Sequence, residues 1–340
     1  MKQCGCNEKG HSMKKIIVYG LGGRCNEILE DEPFKQMLIQ RDMEIVAFAD
    51  GDVKKRNTEI RFAGCVYRAK TVDECLTVEF DYIFVTSNKY FQEIKDCLIE
   101  KGVAQNAIYT IDEVITVGIY HNECYEKKAG VEIGGPSAIF KNVYKRCTKC
   151  DGINFSERTV WWEGQKAGKY VYEDRLLGNM MIEDATDLRS IADGSYDFVL
   201  SSNNLEHIAN PLKALFEFNR IVRPGGAVLI AVPIKEKTFD HRRPYTSFEH
   251  ILSDYINNVC EDDLSHLDEI ISLHDYDMDL GCGGRTAFIE RARNNYLNRC
   301  LHQHVFSVDC LQKMFQYIGF EYIEVTECLY NYVVFCKKCY

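Results

Sequence analysis

Hydrophobic runs alternate with helical repeats over the first third of the chain. Short apolar runs at 15–20, 44–50 and 81–87 predict buried strands, because each is four to seven residues long and rich in β-branched or aromatic side chains. The segments 25–40 and 89–102 instead repeat apolar residues at helical spacing. Strands separated by helices form parallel sheets with right-handed crossovers. We therefore predict a small doubly wound α/β domain over 14–118, preceded by a flexible polar tail at 1–13.

The second half of the chain repeats this pattern with different sequences. Five strand-like runs follow one another there, and several end in glycine or small polar residues: VEIGGPS, CDGINFS, IEDATDL, YDFVLSSNNLEHI and RPGGAVLIAVP. Between the halves, 119–130 loses its periodicity and gains charge, which is typical of a linker. A second α/β unit over 131–340 is predicted, with an insertion at 234–304.

Composition narrows the function classes. A chain of 340 residues with 46% hydrophobic content is large enough for two cores. Its formal net charge of -10 disfavours nucleic-acid binding, which requires a basic face. The N-terminal residues lack the apolar run of a signal peptide, and no run is long enough to span a bilayer, so a cytoplasmic protein with reduced thiols is expected.

Two pairs among the 16 cysteines have a spacing that could suit zinc. Cys147 and Cys150 form one CxxC pair, and Cys336 and Cys339 form another. The predicted strand order places the two pairs four strands apart in one sheet, which is roughly 19 Å at the usual strand spacing. No metal site is therefore expected from them.

A glycine turn follows the first strand. Gly20, Gly22 and Gly23 open a helix there, where backbone amides can approach a phosphate, and Asp50 ends the second strand, where a carboxylate can hold a ribose diol. Cys25 replaces the third glycine of the dinucleotide pattern. The segment resembles the small Rossmann-like domain beside transferase modules of bacterial glycan-assembly proteins. Two interpretations stay open, a nucleotide or nucleotide-sugar site and a plain tight turn with a solvated aspartate.

The second half resembles class I S-adenosylmethionine-dependent methyltransferases of the small-molecule group. The resemblance is most specific at DGSYDFVLSS, LEHIANP and RIVRPGG between 193 and 226, covers 131–233 closely and extends more loosely over 304–338. It implies two doubly wound Rossmann-like units in the chain, the C-terminal one a seven-stranded sheet with a helical insertion. It also implies S-adenosyl-L-methionine as the cofactor.

The resemblance further implies a set of cofactor contacts at the ends of four strands. Glycines would face the methionine portion of the cofactor, and an acidic residue would bind the amino group of that portion. Polar side chains would contact the ribose and the adenine, and the fourth strand would lie below the methyl group. These positions are Glu132, Gly134, Gly135, Ser137, Asn154, Phe155, Asp184, Ala185, Ser202 and Asn203. Asn154 stands where the family has an acidic residue, and Pro136 interrupts the glycine motif, so a degenerate enzyme remains an alternative.

Several polar residues could act on a methyl acceptor. His207 follows the fourth strand, where it could be a general base or could cap the next helix. The insertion brings together Asp240, His241, Arg242, Arg243, His250 and Asp254. The arginines suit an anionic substrate and the histidines proton abstraction, although a solvated helix with routine ion pairs would also explain this run. His302 and His304 are expected to be structural.

These observations favour a cytoplasmic methyltransferase acting on a small polar acceptor. An O-methyltransferase acting on a hydroxyl of a sugar or nucleotide-linked sugar, in surface-glycan biosynthesis, fits the N-terminal domain and the arginine pair. The alternative is a non-catalytic nucleotide-sugar-binding or scaffolding protein with a degenerate methyltransferase fold. The acceptor's identity and the oligomeric state stay open.

Overall fold

The chain forms two compact units, 1–116 and 117–340. The computed structural model describes residues 13–339 except 31, 41, 88, 112–113, 115–120, 158, 160–166, 280, 321 and 329. The predicted tail thus lies almost entirely outside the described residues. A linker is predicted over 119–130. From 121 onward this segment belongs to the second unit, because Cys124 and Tyr125 are buried in its core and a strand begins at Ala129.

The first unit contains a parallel four-stranded sheet of order β2-β1-β5-β6 and a separate β3-β4 hairpin. Its strands are β1 Lys14–Tyr19, β2 Met43–Ala49, β3 Glu59–Phe62, β4 Cys65–Arg68, β5 Tyr82–Val85 and β6 Ile108–Thr110. Its described helices are α1 Gly23–Glu30, α2 Glu32–Gln40, α3 Val72–Cys75 and α4 Phe91–Glu100. The strands read as continuous apolar runs because helices cover both faces of such a sheet.

The second unit contains an eight-stranded sheet of order β13-β14-β12-β11-β7-β8-β10-β9. Its strands are β7 Ala129–Ile133, β8 Lys149–Asn154, β9 Gly168–Tyr172, β10 Arg175–Ile182, β11 Tyr196–Ser202, β12 Val222–Pro233, β13 Tyr322–Cys328 and β14 Asn331–Lys337. The predicted α/β class and Rossmann-like architecture are confirmed. The sheet has eight strands rather than seven, because β9 pairs antiparallel with β10 at the edge.

Helices of the second unit contribute to several apolar clusters. The described helices are α5 Lys141–Arg146, α6 Pro211–Ile221, α7 Phe248–Ile256, α8 Leu267–Leu273, α9 Gly284–Arg293, α10 Asn295–Asn298 and α11 Val308–Ile318. In α6, Asn210 caps the first turn and Pro211 occupies the first helical position, where its missing N–H costs nothing. In α11, Ser307 caps the start and Gly319 ends the helix in the left-handed conformation.

The strand order creates a crevice at one edge of the sheet. From the central β7 the chain proceeds to β8 and β10 on one side, then crosses to β11 and β12 on the other. Ligands of open α/β sheets bind at such a switch point, beyond the carboxyl ends of the strands. The order also places Cys150 on β8 and Cys336 on β14 four strands apart.

The insertion at 234–304 carries helices α7 to α10 between β12 and α11. It has its own small core, in which Ile270, Phe288, Ala292 and Leu301 are buried. Among the described residues, no helix combines the length and the apolar character needed to cross a bilayer.

Candidate active site

A groove of about 870 Å³ opens at the carboxyl ends of the strands of the second unit. Strand ends and the loops after them supply one wall, and the insertion supplies the other. Seven of the predicted cofactor residues line it: Gly134, Ser137, Asn154, Phe155, Ala185, Ser202 and Asn203. The loops after β7, β8, β10 and β11 are therefore gathered around one cavity.

Gly134 lies at the floor of this groove and must be glycine. Its φ of +85° belongs to the left-handed region, and a Cβ added there would lie 2.9 Å from the Asn204 side chain. Asn203 also adopts a positive φ, of +46°, which asparagine tolerates better than most residues. Together these residues bring the turns after β7 and β11 into close approach.

Glu132 lies behind the groove rather than in its wall. Its side chain is fully buried, and Oε2 accepts hydrogen bonds from the hydroxyls of Tyr144 and Tyr170. Burial raises the pKa of Glu132 to about 7, although these hydrogen bonds act in the opposite direction. Gly135 leaves room for this group, since a Cβ there would lie 2.1 Å from the Glu132 carboxyl carbon. Neither residue lines the groove, and the predicted contacts with a cofactor, direct or through water for Glu132, stay predictions.

The end of β8 offers one acceptor and one aromatic ring. Nδ2 of Asn154 donates to the Gly135 carbonyl over 3.4 Å, so Oδ1 is the atom that Asn154 can offer to a ligand hydroxyl. Next to it, the guanidinium of Arg299 lies 4.6 Å from the centroid of the Phe155 ring.

Arg299 also contacts Asp184, which does not line the groove. Nη2 of Arg299 donates to Oδ2 of Asp184 over 2.7 Å, and Oδ1 accepts from the backbone and hydroxyl of Thr186. Burial acts to raise the pKa of Asp184, but the charge of Arg299 outweighs it and the pKa is lowered. A ligand amino group at Asp184 must therefore share this carboxylate with Arg299.

His207 is the predicted base that the structure places in the groove wall. Its Nδ1 lies 3.0 Å from the carbonyl oxygen of Leu301, and its ring stands edge-on to that of His302. Burial, followed by the positive charge of His302, holds the pKa of His207 well below its ordinary value. His207 is therefore neutral, and one ring nitrogen is already committed to the backbone.

His302 lines the groove on the insertion side, next to His207, and forms a buried pair with Asp240. Nδ1 of His302 lies 2.5 Å from Oδ2 of Asp240, and Asp240 also accepts from Arg243. Burial acts to lower the pKa of His302, but the charge and hydrogen bond of Asp240 outweigh it and raise that pKa. The pKa of Asp240 moves the opposite way, to about 2, because His302 and Arg243 outweigh burial. Asp240 therefore keeps Nδ1 of His302 protonated, which leaves Nε2 as the nitrogen that exchanges protons.

Glu206 faces the groove beside this pair. It is 1% exposed, and neither carboxylate oxygen has a hydrogen-bond partner among the described residues. Burial raises the pKa of Glu206 to about 7. A buried carboxyl group without a partner is costly, so it marks a position where a ligand can donate.

The remaining predicted substrate and base residues lie outside the groove. Arg243 is 2% exposed and braces the insertion through Asp240, Glu269 and the carbonyls of His302 and Gln303. Its donors are thus occupied by the protein, which corrects its prediction as a substrate contact.

Arg242, His241 and His250 are also displaced from the predicted roles. Arg242 and His241 both contact Oδ2 of Asp275, at 2.6 and 2.8 Å. His250 contacts His266, with their Nε2 atoms 3.1 Å apart. None of the three lines the groove.

In the first unit, the predicted glycine turn is closed by Asp50 itself. Oδ2 of Asp50 accepts from the Leu21 amide and from Lys55, and Oδ1 accepts from the Asp52 amide. Gly20 has a φ of +101° and leaves no room for a Cβ beside Thr86. Gly22 and Gly23 face open space. A ribose diol would have to compete with these internal hydrogen bonds.

Three groups of described residues bring potential metal ligands within 4.8 Å of one another. They are Glu206, His207 and His302 in the groove, His250, His266 and His304, and His274, Asp279 and Cys282. None contains the CxxC cysteines of the sequence prediction.

One family model matches each half of the chain. Residues 131–230 match the model of a methyltransferase domain, and residues 12–109 match the model described as C2185-like, N-terminal. No curated protein sequence matches the chain.

Similar solved structures include three methyltransferases. A methyltransferase from Thermotoga maritima, described as a possible histamine N-methyltransferase, has 17% identity over 74% of this chain and 97% of its own, with a TM-score of 0.37. One from Mesorhizobium loti has 13% identity over 63% of this chain and 92% of its own, also at 0.37. The CurJ carbon methyltransferase has 11% identity over 64% of this chain and 50% of its own, at 0.36, so this chain spans about half of it. Because these TM-scores lie below 0.5, the class of the domain follows from the family match and not from these structures.

Residues 131–230 therefore form a class I S-adenosylmethionine-dependent methyltransferase domain, with S-adenosyl-L-methionine as its cofactor. The groove fits that cofactor in two respects. The floor at Gly134 excludes any Cβ, and the ends of four strands converge on one cavity large enough for a ligand of this kind.

Sequence reasoning missed Glu206, His302 and Arg299 as groove residues. Glu206 and His207 carried a signal, because the pair follows directly after β11. Arg299 and His302 carried little signal in the sequence, because their partners are more than 60 residues away. Arg299 contacts Asp184, and His302 contacts Asp240.

Proposed function

We propose that this chain methylates a hydroxyl of a small polar acceptor, such as a sugar or nucleotide-linked sugar. The observation that carries the proposal is the Asp240–His302 pair in the groove wall, with the unpartnered Glu206 beside it. A hydroxyl is a weak nucleophile that must lose its proton during transfer, and a carboxylate-held imidazole is suited to take it.

S-adenosylmethionine supplies, when bound, a methyl group activated by its sulfonium. Gly134 would let the backbone pass close to it, Asn154 would offer Oδ1 to a ribose hydroxyl, and the turn at Asn203 would form the floor below the methyl group. His302 would accept the acceptor's proton at Nε2, while Asp240 holds Nδ1–H and stabilises the resulting imidazolium.

The polar wall supports an acceptor with several hydroxyl groups. Glu206 and Asp279 offer carboxylates, Asn331 offers an amide, and Phe239 offers a flat apolar face. Such mixed linings bind sugars by combining hydrogen bonds with ring contact.

The test begins with cofactor binding. Calorimetry should show micromolar binding of S-adenosylmethionine and S-adenosylhomocysteine, and Gly134→Val should abolish both. Absence of binding to the unaltered chain would favour the non-catalytic alternative.

Turnover is then measured with a panel of sugars and nucleotide sugars and carbon-13 methyl-labelled cofactor. We expect a methoxy carbon in the product, and kcat lowered roughly 10²-fold or more in His302→Ala with cofactor affinity retained. His241→Asn, outside the groove, is the matched control. An N-methyl or C-methyl product, or unchanged kcat in His302→Ala, would contradict the proposal.

A further inference from the structure

Three histidines from separate parts of the second unit meet away from the groove lining. His250 lies in α7, His266 lies at the start of α8, and His304 lies in the segment that leads into α11. One ligand atom from each lies within 4.8 Å of the others, and the Nε2 atoms of His250 and His266 are 3.1 Å apart. We propose that His250, His266 and His304 bind one zinc ion.

The spacing suits zinc. Zinc–nitrogen bonds of about 2.0–2.1 Å in a tetrahedron place neighbouring ligand atoms roughly 3.3–3.4 Å apart. The observed 3.1 Å between two imidazole nitrogens is close to such an edge. Imidazole nitrogen also suits an ion of intermediate softness.

His304 is oriented for this role by the backbone. Its Nε2 lies 3.1 Å from the carbonyl oxygen of Ala209, so Nε2 carries the proton and donates it. Nδ1 therefore holds the lone pair, and it is buried without a hydrogen-bond partner among the described residues. Zinc-binding histidines commonly donate their second nitrogen to a carbonyl in this way. Burial also lowers the pKa of His304 to about 3, so the ring is neutral.

The surroundings favour a cation. Oδ2 of Asp254 is buried, makes no hydrogen bond with the described residues and lies 3.2 Å from Nε2 of His250, where its charge favours a cation. Asp263 and Glu269 add negative charge near His266, whereas the charge of Arg243 opposes a cation. Arg243 is itself paired with Asp240 and Glu269. The His250 side chain is 39% exposed and gives an ion a path from solvent.

The other two groups of potential metal ligands give less support for a bound ion. Glu206, His207 and His302 belong to the groove already described. The ring of His274 is packed among Phe239, Tyr276 and Phe288 at centroid distances of 4.2–4.7 Å, which explains its burial without an ion.

The ion would act as a structural clamp. It would join the start of the insertion to its return segment, where the backbone N–H of His304 donates to the Glu206 carbonyl. The three histidines come from separate segments and would hold these segments together, and Asp254 would have to move closer to complete the tetrahedron.

The test uses the full chain, stripped with a chelator and titrated with Zn²⁺ and Co²⁺. We expect one Zn²⁺ bound per chain at micromolar Kd or tighter, a higher Tm with zinc, and a cobalt spectrum of four-coordinate type without thiolate charge-transfer bands. The partly exposed variants His250→Asn and His266→Asn should each weaken zinc binding roughly 100-fold or more, since even a lost supporting group costs 10–100-fold.

His241→Asn, a partly exposed histidine of the same insertion, is the control and should bind zinc as the unaltered chain does. Equal zinc affinity in the unaltered chain, His250→Asn and His266→Asn would overturn the proposal. So would a cobalt spectrum dominated by thiolate, which would place the metal on cysteines, or absence of zinc binding to a chain whose circular dichroism is native.

Discussion

Arg299 covers the ring of Phe155, with its guanidinium 4.6 Å from the ring centroid. The same side chain donates to Asp184 and lies 3.4 Å from Glu261. One residue of the insertion thereby fixes two side chains at the strand ends where the ribose and adenine contacts are predicted. Cofactor affinity should therefore depend on a residue that the family pattern does not mark.

Replacing Arg299 by alanine should weaken S-adenosylmethionine binding about 5–10-fold. The variant loses a partly buried ion pair and a contact with an aromatic ring, each worth about 1 kcal/mol, and leaves Asp184 and Phe155 free to reorient. Calorimetry with both cofactor forms measures the change. Affinity equal to that of the unaltered chain would show that Arg299 does not organise this site.

The acid limb of the pH–rate profile should report His302. Proton acceptance requires neutral imidazole, so kcat/KM rises with pH through the His302 pKa, which lies above its ordinary value of 6.5. In Asp240→Asn the limb should move to lower pH, because the partner charge is gone, and the plateau should fall roughly 10²-fold. His241→Asn should keep both limb and plateau. Superimposable limbs in Asp240→Asn and the unaltered chain would argue against this pair.

Glu132 should make stability depend on pH near neutrality. Its folded pKa of about 7 lies above the ordinary 4.5, so its contribution is complete below 4.5 and is lost as pH rises through 7. Glu132→Gln, which stays neutral, should gain stability relative to the unaltered chain between about pH 5 and about pH 8. Urea unfolding at both pH values gives the difference in free energy, and a difference independent of pH would refute the assignment.

Gly130 should tolerate no side chain. A Cβ there would lie 2.1 Å from the buried ring of Phe198 on the neighbouring strand β11. Gly130→Ala should lower the free energy of unfolding by about 1–3 kcal/mol, the usual range for overpacking. Gly281→Ala, which meets no atom closer than 3.8 Å, should change it by less than about 0.5 kcal/mol. Equal stability of the two variants in urea unfolding would contradict the packing argument.

The sequence predicted several central strands because those depend on local patterns. It did not predict β3, β4 or β6, and it placed one strand at 182–188, whereas β10 ends at Ile182. In β11, the apolar run indicates a buried strand, and the small polar residues at Ser202 indicate where that strand ends. The same holds for Gly134, where a glycine after a strand signals a backbone conformation that other residues avoid. Extra strand β9 was missed because its edge position gives it a weak, partly exposed pattern.

Pairings within the insertion could not be predicted in this way. Adjacent residues with the same chemistry have opposite environments there, since Arg243 is buried and bonded while the side chain of Arg242 is 50% exposed. The catalytic candidate also depends on Asp240 and His302, which are 62 residues apart and meet only after the insertion folds. Periodicity does not encode such tertiary contacts.

The division of the groove between strand ends and a single inserted stretch has a consequence for engineering. The predicted donor contacts lie at the strand ends of the sheet, whereas most of the opposite wall comes from one uninterrupted piece of chain between Ile234 and His304. Grafting that piece from a relative should change acceptor preference, and the graft must keep an arginine at position 299 to preserve the contacts with Asp184 and Phe155. Chimeras joined at these two points offer a direct route to altered selectivity.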